Sequence, residues 1–187
     1  MMPRKASLSV ACHLAERRSV TGLTGPIHDS STLRLRLGPS WLLVRSVELS
    51  PNFALGHYNL SFLRSVVGSP TVAIADADLS RRLSPYDPML FGMLATRAMS
   101  LVRLGKFDEA TPWAIKAAAR PNSFPHIHAI AAFTLALAGD MKQAQTYVAN
   151  ARRTVPNYGI NDFLLTFPFE EGGEALFRKG AKLVGMA

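Results

Sequence analysis

The sequence predicts an all-α fold in which antiparallel helix pairs are stacked along the chain. A proline recurs at Pro51, Pro85, Pro121 and Pro156, with spacings of 34, 36 and 35 residues. A glycine recurs between these prolines, and an alanine follows each glycine by five residues. Because independent markers share nearly the same period, we expect the chain to be built from repeated structural units.

In each unit the glycine is expected to separate two helices. The three glycines are Gly68, Gly105 and Gly139. A glycine fits the left-handed position that ends a helix, so it marks the end of the first helix of each pair. Ser69 followed by Pro70 is typical of the start of a second helix, and Asp140 is the corresponding N-cap in a later unit. The next proline ends the second helix, because proline cannot continue it.

The alanines Ala73, Ala110 and Ala144 fall early in the second helices, where a small residue allows close helix packing. These glycine, alanine and proline positions resemble the tetratricopeptide repeat, a helix–turn–helix unit of 34 residues, and the run 105–110 (GKFDEA) is the best match. The resemblance implies a short right-handed solenoid. The repeats would be a half repeat at 41–51, then about 52–85, 88–121 and 122–156.

The two ends of the chain differ from the repeats. Residues 1–50 carry seven Lys/Arg and three Asp/Glu, and residues 1–40 show no steady apolar period. We expect residues 1–40 to be a basic, poorly ordered leader with a short helix around Leu8–Arg18. A basic segment can also contact nucleic acid. The half repeat lacks a preceding partner helix, so apolar surface around Trp41–Val44 is expected to be exposed and available for self-association.

Residues 157–187 are expected to form a capping segment of one or two helices over the end of the last repeat. The apolar residues that would form the cap are Phe163, Phe167, Phe169, Leu176 and Phe177. The segment resembles the closing part of tetratricopeptide regions in bacterial regulators that carry a nucleotide-cyclase or winged-helix domain. The resemblance implies a separated regulatory portion of such a protein and transfers no cyclase activity to this chain.

The residues give no indication of an enzyme. The chain has a single cysteine, Cys12, and lacks phosphate-loop, nucleophile-elbow and zinc-helix motifs. His57, His126 and His128 do not form a metal-ligand set, because an i, i+2 spacing puts the last two on different helix faces. No cofactor, metal or small-molecule substrate is therefore expected. The apolar run Ile127–Ala138 is too short to span a membrane, and we expect a cytoplasmic protein.

The expected function is to bind a protein, as a peptide or a helix, in a concave groove lined by the first helices. The candidate partner-binding residues are Tyr58, Phe62, Met99, Arg103, His126 and Phe133. The competing interpretation is that the aromatic residues among them belong to the core between helices. Nucleic-acid binding through the leader is a second alternative, although only the charge supports it.

Overall fold

The structure, a computed structural model, describes residues 40–121 and 123–187. The predicted leader and its helix around Leu8–Arg18 lie outside the described residues, except for Ser40 at the start of the first helix. The described residues form the helices α1 (Ser40–Leu49), α2 (Ala54–Val67), α3 (Pro70–Leu83), α4 (Leu90–Arg103), α5 (Phe107–Ala118), α6 (Pro125–Leu137), α7 (Met141–Thr154), α8 (Ile160–Thr166) and α9 (Glu171–Leu183). They contain no β-strand, so the all-α prediction is confirmed.

The six helices from α2 to α7 form three consecutive pairs. Helix α2 packs against α3, α4 against α5, and α6 against α7. Successive pairs are joined by the α3–α4 and α5–α6 contacts, and the first helices of the pairs meet through α2–α4 and α4–α6. The pairs are therefore stacked in chain order, as the periodic markers predict.

The turn glycines do not all behave alike. Gly105 has a φ of +72° and Gly139 a φ of +91°, so both adopt the predicted left-handed conformation. The same prediction for Gly68 is wrong, because its φ of −138° and ψ of −156° are extended. The short connection to α3 explains the difference: Ser69 is held extended by the proline that follows it, and the chain enters α3 without a left-handed residue.

Helix starts and close contacts follow the sequence markers. The Ser69 hydroxyl accepts a hydrogen bond from the amide of Val72 at 3.5 Å, and the Asp140 carboxylate accepts one from the amide of Gln143 at 2.9 Å. Both residues therefore cap second helices. The alanines Ala73, Ala110 and Ala144 are all fully buried. Small side chains at these positions allow the two helices of each pair to approach closely.

The N-terminal end of the described stack is apolar and open. Helix α1 packs mainly against α2. Within the described part of the chain, Trp41 is 64% exposed and Leu42 is 50% exposed. The apolar surface expected at this end is thus present in the structure. None of the helices in the described ranges combines the length and apolar character needed to cross a membrane.

The C-terminal segment, residues 160–186, lies across the first helices. Helices α8 and α9 both pack against α6, and α9 also contacts α4. The connection between α8 and α9 reaches α2, where the amide of Glu170 donates a hydrogen bond to the carbonyl oxygen of Val66 at 3.0 Å. The segment was expected to cover only the end of the last repeat. It extends further because burying the apolar sides of α4 and α6 away from water is favourable.

Candidate functional site

The candidate site is the first-helix face, defined as the sides of α2, α4 and α6 that lie toward the C-terminal segment. The six predicted partner-binding residues are distributed over these helices as Tyr58 and Phe62 on α2, Met99 and Arg103 on α4, and His126 and Phe133 on α6. Four of them contact the C-terminal segment directly: Phe62, Arg103, His126 and Phe133. The structure therefore brings these four residues together around one bound segment, which belongs to the same chain.

Arg103 links α4, the end of α2 and the C-terminal segment. Its Nη1 donates hydrogen bonds to the carbonyl oxygens of Arg64 at 3.0 Å, Ser65 at 2.9 Å and Gly68 at 3.0 Å. These carbonyls belong to the last turn of α2 and its C-cap, where helices leave acceptors unpaired and favour a cation. Its Nη2 donates to Glu170 Oε2 at 3.1 Å, and burial lowers the pKa of Arg103 while Glu170 opposes that shift.

A phenylalanine cluster fills the space between the first helices and the C-terminal segment. Its members are Phe133, Phe163, Phe167, Phe169 and Phe177. The Phe163 ring lies 4.8 Å from Phe167, 5.2 Å from Phe133 and 5.2 Å from Phe177, measured between ring centroids. The Phe133, Phe163 and Phe177 side chains are fully buried. Aromatic pairs at such distances add to the stabilisation from burial alone.

An aromatic row continues from this cluster toward the starts of the first helices. Phe167 lies 5.9 Å from Phe62 and 5.5 Å from His126. His126 stacks on Phe124 at 5.5 Å with an interplanar angle of 15°, and Phe124 contacts Phe91 at 5.6 Å. Phe124 is 36% exposed, and Phe62 and His126 are partly exposed. Phe124, Phe62 and His126 are the members of this row that an incoming molecule can reach.

Besides the buried Phe133, two of the predicted residues, Met99 and Tyr58, lie inside the core between the helices. Met99 is 1% exposed and Tyr58 is 8% exposed. A Cβ built on Gly92 would lie 2.4 Å from the Tyr58 hydroxyl oxygen, so the tyrosine packs directly over the backbone of α4. In this structure both side chains therefore serve helix packing, and a role for them in partner binding stays a prediction.

Glycines allow α9 to lie close to the first helices. A Cβ built on Gly180 would be 2.9 Å from the carbonyl oxygen of Phe133, and one built on Gly173 would be 3.3 Å from the Arg103 side chain. Contacts of this kind require residues without side chains on one partner. The role of these glycines could not be predicted from the sequence, because it depends on which helix α9 contacts.

Other titratable residues form ion pairs between helices. Asp76 of α3 pairs with Arg64 of α2, and Asp78 of α3 pairs with Arg97 of α4. The two carboxylates point to opposite neighbours, as expected for positions two residues apart in a helix. No group of three or more His, Cys, Asp or Glu side chains in residues 40–121 and 123–187 is placed to hold a metal ion.

The chain has no significant match among protein-family models, curated proteins or solved structures. The tetratricopeptide resemblance and the functional interpretation consequently rest on the residues and geometry of this chain.

His126 should make the stability of the protein sensitive to pH. Burial lowers the pKa of His126 to about 4, and the neighbouring His128 adds to the effect. The unfolded chain has the ordinary histidine pKa of about 6.5, so between pH 6.5 and 4 the unfolded state binds more protons than the folded state. The free energy of unfolding should therefore fall as the pH is lowered through this window, by about 2 kcal/mol from His126 after solvent screening.

The measurement is urea denaturation between pH 7 and 4 of the natural chain and of His126→Phe. Phenylalanine keeps the aromatic contact and cannot be protonated, so the variant should lose less stability on acidification. Contributions from other groups are common to both proteins and cancel in the difference. Parallel curves for the two proteins would show that the imidazole of His126 is not buried as described.

Besides the glycines of α9, two further features of the site were not predicted from the sequence. Glu170 was not identified as the partner of Arg103, although it follows the Phe167-Pro168-Phe169 run directly. The sequence signal for this pairing is an acidic residue that directly follows an aromatic run, in a chain whose predicted groove contains an arginine. The phenylalanines of the capping segment were predicted correctly to cover apolar surface. That this surface is the first-helix face, and not only the end of the last repeat, was not predicted.

Proposed function

We propose that this chain is a non-catalytic protein interaction module of tetratricopeptide type that binds an aromatic and acidic segment on its first-helix face. The helix pairs at a period of about 35 residues support the repeat assignment. The functional proposal is supported by the contacts between the first-helix face and residues 160–186. The aromatic and acidic side chains of this segment indicate what kind of peptide the face can bind.

The face uses three kinds of contact to hold that segment. Aromatic side chains enter the cluster around Phe133, the carboxylate of Glu170 pairs with Arg103, and the Glu170 amide bonds to the end of α2. Side-chain pockets, a charge pair and a main-chain hydrogen bond are the means by which peptide-binding domains recognise their ligands. A partner should therefore offer closely spaced aromatic residues, then an acidic residue, then an amphipathic helix.

In the resting protein the C-terminal segment occupies this face. A segment tethered to its own site has an effective concentration in the millimolar range, so a partner must bind more tightly or meet a weakened segment. The partly exposed aromatic row, with Phe62, Phe124 and His126, is where a partner would make its first contact. Binding is then an exchange of one aromatic segment for another.

The test uses the full chain and a fluorescent peptide that copies residues 160–187. In Glu170→Lys the ion pair with Arg103 is replaced by a repulsion, which weakens the tethered segment but leaves the face intact. We expect this variant to bind the labelled peptide at least about tenfold more tightly than the natural chain does, which corresponds to about 1.4 kcal/mol. Fluorescence anisotropy gives the dissociation constants.

Glu171→Lys is the matched control, because Glu171 is exposed, adjacent in sequence and makes no ion pair among the described residues. Its charge change is the same, so it should bind the peptide like the natural chain. Circular dichroism establishes that both variants remain folded. If Glu170→Lys binds the peptide no better than Glu171→Lys, exchange on the first-helix face is excluded.

The remaining expectations depend largely on residues outside the described ranges. Nucleic-acid binding through residues 1–40 and an origin as the C-terminal portion of a cyclase-like or winged-helix regulator stay predictions. Self-association through the N-terminal end at Trp41 and Leu42 is a further part of the proposal, supported by their exposure. A cytoplasmic location also belongs to the proposal.

A further inference from the structure

A basic pocket lies on the opposite side of α4 from the first-helix face. With 3.6 residues per turn, Leu90, Leu94 and Arg97 lie on one side of this helix, and Met99 and Arg103 lie on the other. The pocket has a volume of about 350 Å³. It is lined by Arg81, Arg82, Pro85, Leu90, Leu94, Trp113 and Lys116. Its size falls in the range of small-ligand sites, which is about 300–1,000 Å³.

The indole of Trp113 is surrounded by cations from three helices. The guanidinium carbon of Arg97 lies 4.3 Å from the ring centroid, and that of Arg81 lies 5.2 Å from it. The Nζ atom of Lys116 lies 5.1 Å from the same centroid. All three distances are within the range of cation–π attraction, so the half-buried tryptophan holds these cations in place.

The positive charge of this cluster is only partly balanced. Asp78 pairs with Arg97 and, at 3.4 Å, with Arg81. Neither Arg82 nor Lys116 has an ion-pair partner among the described residues, and both are exposed. Arg81 and Arg97 therefore share one carboxylate, and Arg82 and Lys116 are unpaired within the described ranges, so the cluster of four cations and one carboxylate carries a net charge of +3. Arg81 and Arg82 also lie in the last turn of α3, where the helix dipole favours cations, but that role does not account for Lys116 of α5 beside them.

We propose that this pocket binds a phosphate monoester whose ester group is an aromatic ring. The phosphate dianion would accept charge-assisted hydrogen bonds from Arg81, Arg82 and Lys116, which arginine and lysine form strongly with phosphate. The ring would lie against the apolar walls formed by Leu90 and Leu94. Concave basic surfaces concentrate anions. Because this pocket also has apolar walls, it should bind an aromatic phosphate ester more tightly than free phosphate.

The test follows the fluorescence of Trp113 in the full chain. The protein contains two tryptophans, and Trp41→Phe leaves Trp113 as the only fluorescent indole. We expect phenyl phosphate to change its emission saturably, and inorganic phosphate to bind at least about tenfold more weakly. Arg82→Gln combined with Lys116→Gln should weaken phenyl phosphate at least about tenfold, because both unpaired cations are removed.

The charge-matched control is Lys142→Gln combined with Arg153→Gln, two exposed cations on α7. It should change the affinity by less than about twofold, since the same net charge is lost away from the pocket. The proposal is overturned if both double substitutions weaken phenyl phosphate binding equally, or if phenyl phosphate and inorganic phosphate bind equally. It is also overturned if phenyl phosphate causes no saturable change in the Trp113 fluorescence. A phosphotyrosine peptide and free phosphotyrosine then distinguish a modified protein from a small aryl phosphate as the source, and failure of both would also contradict the proposal.

This site is independent of the exchange on the first-helix face. The Arg82 and Lys116 substitutions should leave the binding of the labelled peptide in Glu170→Lys unchanged. The two proposals can therefore fail separately.

Discussion

Gly180→Leu is expected to lower the free energy of unfolding by about 3 kcal/mol or more and to detach α9 from α6. A Cβ at this position would lie 2.9 Å from the carbonyl oxygen of Phe133 and 3.2 Å from its Cα atom. The obstructing atoms include the backbone of a buried helix, so they cannot move aside as a flexible side chain would. Even Gly180→Ala should destabilise the protein, although alanine favours helix by about 1 kcal/mol over glycine.

Gly172 provides the matched control in the same helix. A Cβ at Gly172 meets no atom within 4 Å, so Gly172→Leu and Gly172→Ala should leave the stability unchanged or raise it by about 0.5 kcal/mol. Urea denaturation followed by circular dichroism compares the variants directly. Similar stabilities for Gly180→Leu and Gly172→Leu would mean that α9 does not lie against α6.

Phe163→Ala is expected to lower the free energy of unfolding by about 3–5 kcal/mol. The Phe163 side chain is fully buried, and its ring contacts four other phenylalanines of the cluster. Removing the ring leaves a cavity between α6 and the C-terminal segment, because Phe133 and Phe177 are held on packed helices and cannot move far enough to fill it. Differential scanning calorimetry should show a large decrease in the unfolding temperature.

Leu165→Ala is the comparison for this substitution. Leu165 lies in the same short helix and is 76% exposed, so its loss should change the stability by less than about 0.5 kcal/mol. If Phe163→Ala has an effect as small as that of Leu165→Ala, the phenylalanine cluster does not form the interface described above.

The helix pairs could be predicted because their signals are local. Turn glycines such as Gly105 and Gly139 and caps such as Ser69 and Asp140 act within a few residues, where backbone preferences leave few alternatives. Gly68 shows the limit of this reasoning. Glycine permits a left-handed turn but does not require one, and the Ser69-Pro70 start of α3 selected an extended connection instead.

The candidate site could be predicted only in part because its contacts are distant in sequence. The apolar first-helix positions were identified from helical spacing, and Phe62, Arg103, His126 and Phe133 do converge on one segment. Periodicity gives the apolar side of a helix but does not give the element that covers it. The position of Glu170 beside Arg103 and the fit of Gly180 against Phe133 depend on the path of residues 160–186, which no local pattern encodes.

The hydrogen bond from Glu170 to Val66 has a consequence for how the protein is made. Repeat arrays with contacts only between neighbours can fold piece by piece as they are synthesised. Here the side of α2, α4 and α6 stays uncovered until α9 has left the ribosome. At bacterial or eukaryotic elongation rates, the interval between Val66 and Leu183 is roughly ten seconds. During that time the nascent chain exposes an apolar strip along α2, α4 and α6.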